Sequence, residues 1–168
     1  MSADLSGVYK ERRPKHRVLV VEDDLDLHFV LEAILKSIDP WVELDWATNA
    51  EHATLQLKES VRAVNRPYDL IVADIFLDGE STGIDLWNDC HEICPEVPIV
   101  IMSSLSTHKY LAALGTQAIC PPFLSKPLEL TECKQLFEGM FTYGHRTRKG
   151  SLAGSDGGFS KPDDNRFS

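Results

Sequence analysis

The chain has 168 residues, of which 43% are hydrophobic, and its 17 Lys and Arg against 26 Asp and Glu give a formal net charge of −9. This length corresponds to one ordinary domain, and so acidic a chain would repel nucleic-acid phosphates, which argues against direct DNA binding. No apolar run approaches the roughly 18 residues of a membrane span, so we expect no membrane insertion. The N-terminus lacks the pattern of a signal peptide, which favours a cytoplasmic location.

Basic residues are concentrated at the two ends of the chain. Five of the 17 lie within residues 1–17 and five within 142–168, whereas the middle is strongly acidic. Residues 142–168 also hold half of the ten glycines and many serines, a composition typical of a flexible tail. We therefore predict a basic N-terminal segment (1–16), a folded domain (17–141) and a flexible basic tail (142–168). Contact of the tail with an acidic surface, and hence tail-mediated self-association, is one hypothesis for its role.

The folded domain alternates short apolar runs with stretches of helical periodicity. Residues 17–21, 69–73 and 98–102 are continuous, apolar and rich in β-branched residues, which is typical of parallel strands buried on both faces. Two further strands are predicted at 42–46 and 118–124, and two consecutive prolines in the latter place it at a sheet edge because they remove backbone donors. Apolar residues at helical spacing predict a helix after each strand, at 27–38, 50–64, 83–94, 106–115 and 130–141.

Five successive strand–helix units predict an α/β fold, a doubly wound five-stranded parallel sheet with helices on both faces. Ahead of the second helix, Thr48 and Glu51 have the spacing of a capping box. In such a sheet, ligands bind beyond the carboxyl ends of the strands. The candidate site residues are therefore those that directly follow the apolar runs, namely Glu22, Asp23, Asp24, Asp74, Ser103 and Lys126.

This set of side chains has the chemistry of a phosphoryl-transfer site. Clustered carboxylates repel one another without a cation, and an all-oxygen donor set favours a hard ion, Mg²⁺ or Mn²⁺. A hydroxyl and a lysine suit the oxygens of a phosphoryl group, and Asp74, central among the strands, is the expected nucleophile. Asp24 is equally well explained as a helix N-cap, and Ser103 or Lys126 alone would be an ordinary cap or helix entry.

Four motifs in residues 17–141 resemble, in the same order, the receiver domain of two-component response regulators: Val20-Val21-Glu22-Asp23, 69–74, 98–103 and Ser125-Lys126-Pro127. The resemblance implies a flavodoxin-like receiver fold with strand order 2-1-3-4-5. It also implies that Glu22, Asp23 and Asp74 bind Mg²⁺. Asp74 would then accept a phosphoryl group from a phosphohistidine donor, either a sensor histidine kinase or a His-phosphotransfer protein.

The same resemblance implies a conformational switch. Ser103 would move to hydrogen-bond the phosphoryl group, Lys126 would pair with it, and Phe123 would rotate inward into the space that Ser103 leaves. The surface of the fourth helix and fifth strand would change, and an unidentified downstream protein would bind that surface. Such a module takes part in its own phosphorylation and dephosphorylation and is not otherwise an enzyme.

The loop after Asp74 departs from the family pattern, because residues 77–82 lack the usual proline and are one residue longer. Phe76 should still complete the metal shell, since its backbone carbonyl can serve whatever the side chain is. Phe76 and Leu105 would both flank an attacking water, and both are bulky and apolar. We therefore hypothesise slow self-hydrolysis of the phosphoryl group.

The leading prediction is a single-domain response regulator receiver without an output domain. The alternative keeps the fold but drops the chemistry: a receiver-like scaffold that docks partners regardless of phosphorylation, supported by the altered loop after Asp74. A haloacid-type phosphatase or a flavodoxin would need a different motif after the first strand, and neither motif is present. The four cysteines lack CxxC spacing, so we expect reduced thiols rather than disulfides or a metal site.

Overall fold

The computed structural model describes residues 16–62, 67–115 and 120–152, in which strands and helices alternate along the chain. The strands are β1 (Arg17–Val21), β2 (Glu43–Ala47), β3 (Leu70–Asp74), β4 (Ile99–Ser103) and β5 (Phe123–Ser125). The helices are α1 (Leu25–Ile38), α2 (Ala50–Arg62), α3 (Gly83–Ile93), α4 (Thr107–Leu114) and α5 (Leu130–Leu152). Every strand pairing is parallel, in the order β2-β1-β3-β4-β5. The predicted fold, a doubly wound parallel sheet of the flavodoxin-like receiver type, is confirmed.

The sheet is covered on both faces, which explains the continuous apolar runs. Val18 and Val20 of β1 belong to the core cluster that contains α1 and α5, whereas Leu19 and Val21 belong to the cluster formed with α2, α3 and α4. Successive strand residues point to opposite faces, so a strand covered on both sides must be apolar at every position. The central strand β3 is buried along its whole length.

The edge position predicted for the fifth strand is confirmed, since β5 pairs with β4 alone among the described strands. Its two prolines precede the strand, and the carbonyl of Pro122 accepts a hydrogen bond from the backbone N–H of Ile101 at 2.9 Å. Proline keeps its carbonyl acceptor while losing its donor, so this pairing is compatible with the sequence.

The capping box predicted ahead of the second helix is wrong. Asn49 caps α2 instead, because its Oδ1 accepts a hydrogen bond from the backbone N–H of His52 at 2.8 Å. Asn49 lies one residue closer to the helix than Thr48 and is an equally good capping residue. A capping box does occur at α3, where Thr82 and Asp85 bond reciprocally to each other's backbone N–H groups.

The last helix is longer than predicted, because α5 continues to Leu152. Residues 142–152 of the predicted tail therefore belong to α5. This stretch contains no proline, and its two glycines are isolated, so helical hydrogen bonding propagates from the packed part of α5. Residues 153–168 of the predicted tail and residues 1–15 of the N-terminal segment lie outside the described residues. Within the described ranges, no helix combines the length and the apolar character needed to cross a bilayer.

Candidate functional site

The predicted site residues converge at the carboxyl edge of the sheet. Asp74 and Ser103 are the last residues of β3 and β4, and Glu22 and Lys126 directly follow β1 and β5. The Nζ atom of Lys126 lies 2.7 Å from Oε2 of Glu22 and 2.7 Å from Oδ2 of Asp74. Residues far apart in the chain thus form one hydrogen-bonded group, because adjacent parallel strands end at the same edge.

Three carboxylates form the acidic part of this site. Glu22, Asp23 and Asp74 each offer an oxygen, and these oxygens lie within 4.8 Å of one another. Glu22 is 1% exposed and Asp74 is 7% exposed, while Asp23 is closer to solvent. The single ammonium group of Lys126 balances one of the three negative charges. Carboxylate oxygens are preferred ligands of Mg²⁺, so the donor set fits a hard divalent cation that would balance the remaining charge.

The electrostatics of the site reflect both burial and pairing. Burial raises the pKa of Glu22 above its usual range, and the hydrogen bonds from Lys126 and from the backbone N–H of Asp24 offset this only in part. Burial alone would lower the pKa of Lys126, but hydrogen bonds and Coulomb attraction from Asp74 and Glu22 outweigh it, so that pKa is raised. Lys126 is therefore charged throughout the neutral range, as a group that pairs with an anion must be.

The backbone around Asp74 is closely packed. Its Oδ1 atom accepts a hydrogen bond from the backbone N–H of Phe76 at 3.3 Å, while the Phe76 side chain is 55% exposed. A Cβ atom on Gly83 would lie 2.0 Å from the carbonyl oxygen of Asp74, so the first residue of α3 must be glycine. The loop base is closed by a hydrogen bond from Gly83 N–H to the carbonyl of Ile75 at 3.0 Å. Phe76 is thereby held beside the acidic cluster.

Ser103, the last residue of β4, is fully buried. Its hydroxyl accepts a hydrogen bond from the backbone N–H of Leu105 at 3.2 Å, and its carbonyl accepts one from the backbone N–H of Lys126 at 2.8 Å. The hydroxyl hydrogen remains free to donate to a further acceptor. The structure therefore places Ser103 at the same sheet edge as the acids and the lysine.

Phe123 is half-buried on the edge strand β5, in register with Ile101 of β4. Its ring stacks on Tyr110 of α4 with the centroids 4.3 Å apart and the planes inclined by 16°. The Tyr110 hydroxyl donates a hydrogen bond to the carbonyl of Pro121 at 2.9 Å. Burial raises the pKa of Tyr110 to about 12, so the hydroxyl stays protonated and can keep this bond. Stacking thus links Phe123 to α4, and the Tyr110 hydrogen bond ties α4 to the segment before β5.

Asp24 and His28 have supporting roles around the site, and only the first of these was indicated by the sequence. Asp24 caps α1, accepting a hydrogen bond from the backbone N–H of Asp26 at 2.9 Å, which favours the capping interpretation of that acid. His28 donates from Nε2 to the carbonyl of Glu22 at 2.8 Å and stacks on Trp46 at 4.2 Å. Trp46 belongs to β2, so the sequence pattern of the helix that contains His28 could not predict this contact.

The comparisons with known proteins are consistent with this geometry. The model of the response regulator receiver domain family matches residues 18–138, whereas no curated protein gives a significant match. Among solved structures, the signal receiver domain of an HD domain-containing protein from Pseudomonas fluorescens Pf-5 is 23% identical, with a TM-score of 0.66 over 82% of this chain and 93% of that chain.

Two further structures share the fold. A CheY-like response regulator receiver domain protein from Methanospirillum hungatei JF-1 is 17% identical, with a TM-score of 0.64 over 79% of this chain and 98% of that chain. The receiver domain of a sensor histidine kinase from Pseudomonas aeruginosa PAO1, with a magnesium ion in its active site cleft, is 19% identical, with a TM-score of 0.59 over 76% and 98% of the two chains. These similarities concern the fold, and the family match covers most of the sequence. The chain therefore belongs to the response regulator receiver domain family.

Proposed function

We propose that this receiver domain accepts a phosphoryl group on Asp74 from a phosphohistidine donor, with Mg²⁺, and that phosphorylation changes a protein-binding surface. The observation that carries the proposal is the position of Lys126, whose Nζ atom lies 2.7 Å from both the Glu22 and the Asp74 carboxylates. One cation shared between two buried acids leaves a net negative site. Such a site favours a divalent cation and then a phosphoryl group that pairs with the lysine.

The chain's own residues define the reaction that we propose. A carboxylate oxygen of Asp74 forms a bond to phosphorus while the N–P bond of the phosphohistidine breaks, and the released imidazole takes up a proton. Lys126 transfers its contact from the Asp74 carboxylate to the phosphoryl oxygens, and Ser103 donates its hydroxyl hydrogen to one of them. Glu22, Asp23, Asp74 and the Phe76 carbonyl would hold Mg²⁺, or Mn²⁺ with the same donor set. The bound ion would neutralise charge on the phosphoryl oxygens.

The proposed switch extends from Ser103 to the α4–β5 surface. If the Ser103 hydroxyl turns towards the phosphoryl group, it gives up its hydrogen bond with Leu105 at the start of the β4–α4 loop. Phe123 lies on the neighbouring strand and is stacked on Tyr110 of α4. A change in either group therefore alters the position of α4, whose outer surface a downstream protein could recognise.

The donor would approach over α1. An apolar groove of about 510 Å³ lies between α1 and the start of α5, with Phe29, Leu128 and Leu130 among its lining residues. The Phe29 side chain is 72% exposed. The elements that line the groove are connected in sequence to the site, because α1 follows the Glu22 loop and Leu128 follows Lys126. A sensor histidine kinase or a His-phosphotransfer protein that docks on this apolar face would bring its phosphohistidine to Asp74.

The test is phosphorylation by a small donor. The full chain is incubated with Mg²⁺ and acetyl phosphate, and intact masses are compared for wild type, Asp74→Asn and the matched control Asp78→Asn, which changes an exposed acid in the adjoining loop. We expect one phosphoryl group on wild type and on the control, and none on Asp74→Asn. If wild type gains no phosphoryl mass, the alternative of a phosphorylation-independent docking scaffold replaces the proposal.

A further inference from the structure

We propose that Glu51 of α2 is a positioning residue that clamps the β3–α3 loop, residues 75–82, and thereby holds the Phe76 backbone beside the acidic cluster. This inference rests on the proposed function, because the Phe76 carbonyl matters only if the site binds a cation. It adds a residue from a different helix, and one that makes no direct contact with the acids described above. It also gives a physical role to the loop in which this chain departs from its family.

The clamp is visible as a hydrogen bond from the loop backbone to one carboxylate. The Oε1 atom of Glu51 accepts a hydrogen bond from the backbone N–H of Ser81 at 3.0 Å, across 30 positions of sequence. Hydrogen bonds from its own backbone N–H, from the hydroxyl and N–H of Ser81 and from the N–H of Glu80 hold the pKa of Glu51 below its usual range. The exposed carboxylate is therefore charged at neutral pH, and the backbone N–H of Ser81 donates to it directly.

The loop is shaped to receive this carboxylate. Gly79 has a φ of +115°, a conformation that L side chains rarely adopt, and a Cβ atom at this position would lie 2.8 Å from Oε2 of Glu51. The backbone conformation thus favours glycine, and the Glu51 carboxylate lies directly beside it. Two independent features of the loop, its donors and its glycine, match the same side chain.

Phe76 itself makes few strong contacts, so its position depends on how the rest of the loop is held. Its side chain is mostly exposed, and its backbone N–H makes a long hydrogen bond, 3.3 Å, to Oδ1 of Asp74. Asp74 is the group that the reaction modifies, so this bond is weakened when Asp74 is engaged. The loop base is closed between Ile75 and Gly83, and Leu77 packs against the core. Glu51 supplies the polar tie on the far side of the loop.

The test measures Mg²⁺ affinity in the full chain. Isothermal titration with MgCl₂ is performed on wild type, Glu51→Ala, Glu51→Gln and Gly79→Ala, with Glu59→Gln as the matched control because it removes the same charge further along α2. Backbone hydrogen exchange of Ser81 and urea unfolding are measured on the same samples. We expect Glu51→Ala to weaken Mg²⁺ binding about fivefold. This corresponds to a loop that holds Phe76 in the binding position about a fifth of the time, because the apparent affinity falls in proportion to the fraction of competent molecules.

The variants separate positioning from general stability. Glu51→Gln keeps one acceptor oxygen and should be intermediate, and Gly79→Ala should reproduce the loss with Glu51 intact. Exchange at Ser81 should speed up in Glu51→Ala but not in Glu59→Gln. An affinity of Glu51→Ala equal to that of wild type overturns the clamp alone. If wild type binds Mg²⁺ but gains no phosphoryl mass, the proposed reaction is overturned, and the Mg²⁺ affinities of wild type and Glu51→Ala still decide whether the clamp exists. A wild type that binds no Mg²⁺ overturns both.

Discussion

Replacing Lys126 by methionine removes the cation that Glu22 and Asp74 share while keeping an unbranched side chain that is only one atom shorter. Both carboxylates are buried, and each loses a charge-assisted hydrogen bond of 2.7 Å. Methionine has no hydrogen-bond donor that could replace the ammonium group. In the absence of Mg²⁺, the variant therefore has two buried acids that repel each other, with Asp23 close by.

The size of the effect follows from the geometry. At 2.7 Å and an effective dielectric constant of about 20, each Lys126–carboxylate contact corresponds to about 6 kcal/mol of Coulomb energy, before the cost of removing the charges from water. Breaking a buried pair by removing one partner costs about 3–5 kcal/mol. The Lys126 side chain is 16% exposed, so solvent reaches the site, and we expect the lower value, about 3 kcal/mol of unfolding free energy.

The pH dependence has a definite sign. The pKa of Lys126 is raised in the folded state, so its stabilising contribution is present at neutral pH and is lost only as pH rises through that raised pKa. The pKa of Glu22 is also raised, mainly by burial, so ionised Glu22 costs stability above that pKa and the cost disappears as pH falls through it. In Lys126→Met the deficit should therefore be largest at pH 7.5 and should shrink towards pH 4.

The assay is urea unfolding of wild type and Lys126→Met at both pH values, in EDTA and in saturating Mg²⁺. The exposed Lys109 on α4 provides the control Lys109→Met. Mg²⁺ should stabilise the variant more than wild type, because the ion balances the charges that Lys126 no longer balances. If Mg²⁺ binds the variant tenfold more tightly, the unfolding free energy of the variant rises by about 1.4 kcal/mol relative to wild type. The reasoning is refuted if Lys126→Met in EDTA at pH 7.5 is as stable as wild type, or if its deficit is the same at both pH values.

Three further predictions concern other parts of the molecule. Replacing Phe76 and Leu105 by alanine should speed loss of the phosphoryl group about tenfold, because water can then approach it. A time course of intact masses after removal of the donor measures this loss, and release from wild type within seconds would contradict the prediction. Iodoacetamide at pH 8 should label the exposed Cys120 before the buried Cys133, since burial raises the pKa of Cys133 to about 11. Equal rates of labelling at the two cysteines, measured by peptide mapping, would contradict this prediction. Thr82→Ala should lower the unfolding free energy by about 1 kcal/mol through loss of the α3 capping box, as urea unfolding would show, and an unchanged midpoint contradicts it.

The residues at the carboxyl edge of the sheet could be predicted because a general rule relates positions in the sequence to positions in the fold. Each apolar run ends at a polar residue, and the carboxyl ends of parallel strands meet at one edge. Glu22, Asp74, Ser103 and Lys126 follow directly from that rule, and the structure brings the first two within 2.7 Å of the lysine. The prolines before β5 indicated an edge strand for an equally local reason, the missing backbone donors.

The contacts that support the site could not be predicted in the same way. The Glu51–Ser81 hydrogen bond and the stacking of His28 on Trp46 join elements whose relative positions are set only by tertiary packing. Locally, Glu51 matched a capping box, and the competing partner lay 30 positions away. The buried pair of His16 and Asp39 is of the same kind, with 3.0 Å between Nδ1 and Oδ2, and no periodic pattern marks it.

The hydrogen bonds around Ser103 restrict how the proposed switch can operate. The carbonyl of Ser103 is tied to the backbone N–H of Lys126 at 2.8 Å, so moving the backbone of β4 would displace the lysine that the phosphoryl group needs. The hydroxyl has a longer bond, 3.2 Å to the N–H of Leu105, and rotation of the side chain breaks it without moving the strand. That rotation leaves an unpaired N–H at the entrance to α4, where Tyr110 is stacked on Phe123. In the proposed switch the strands therefore remain fixed, and the response is confined to the β4–α4 loop, α4 and the Phe123 ring.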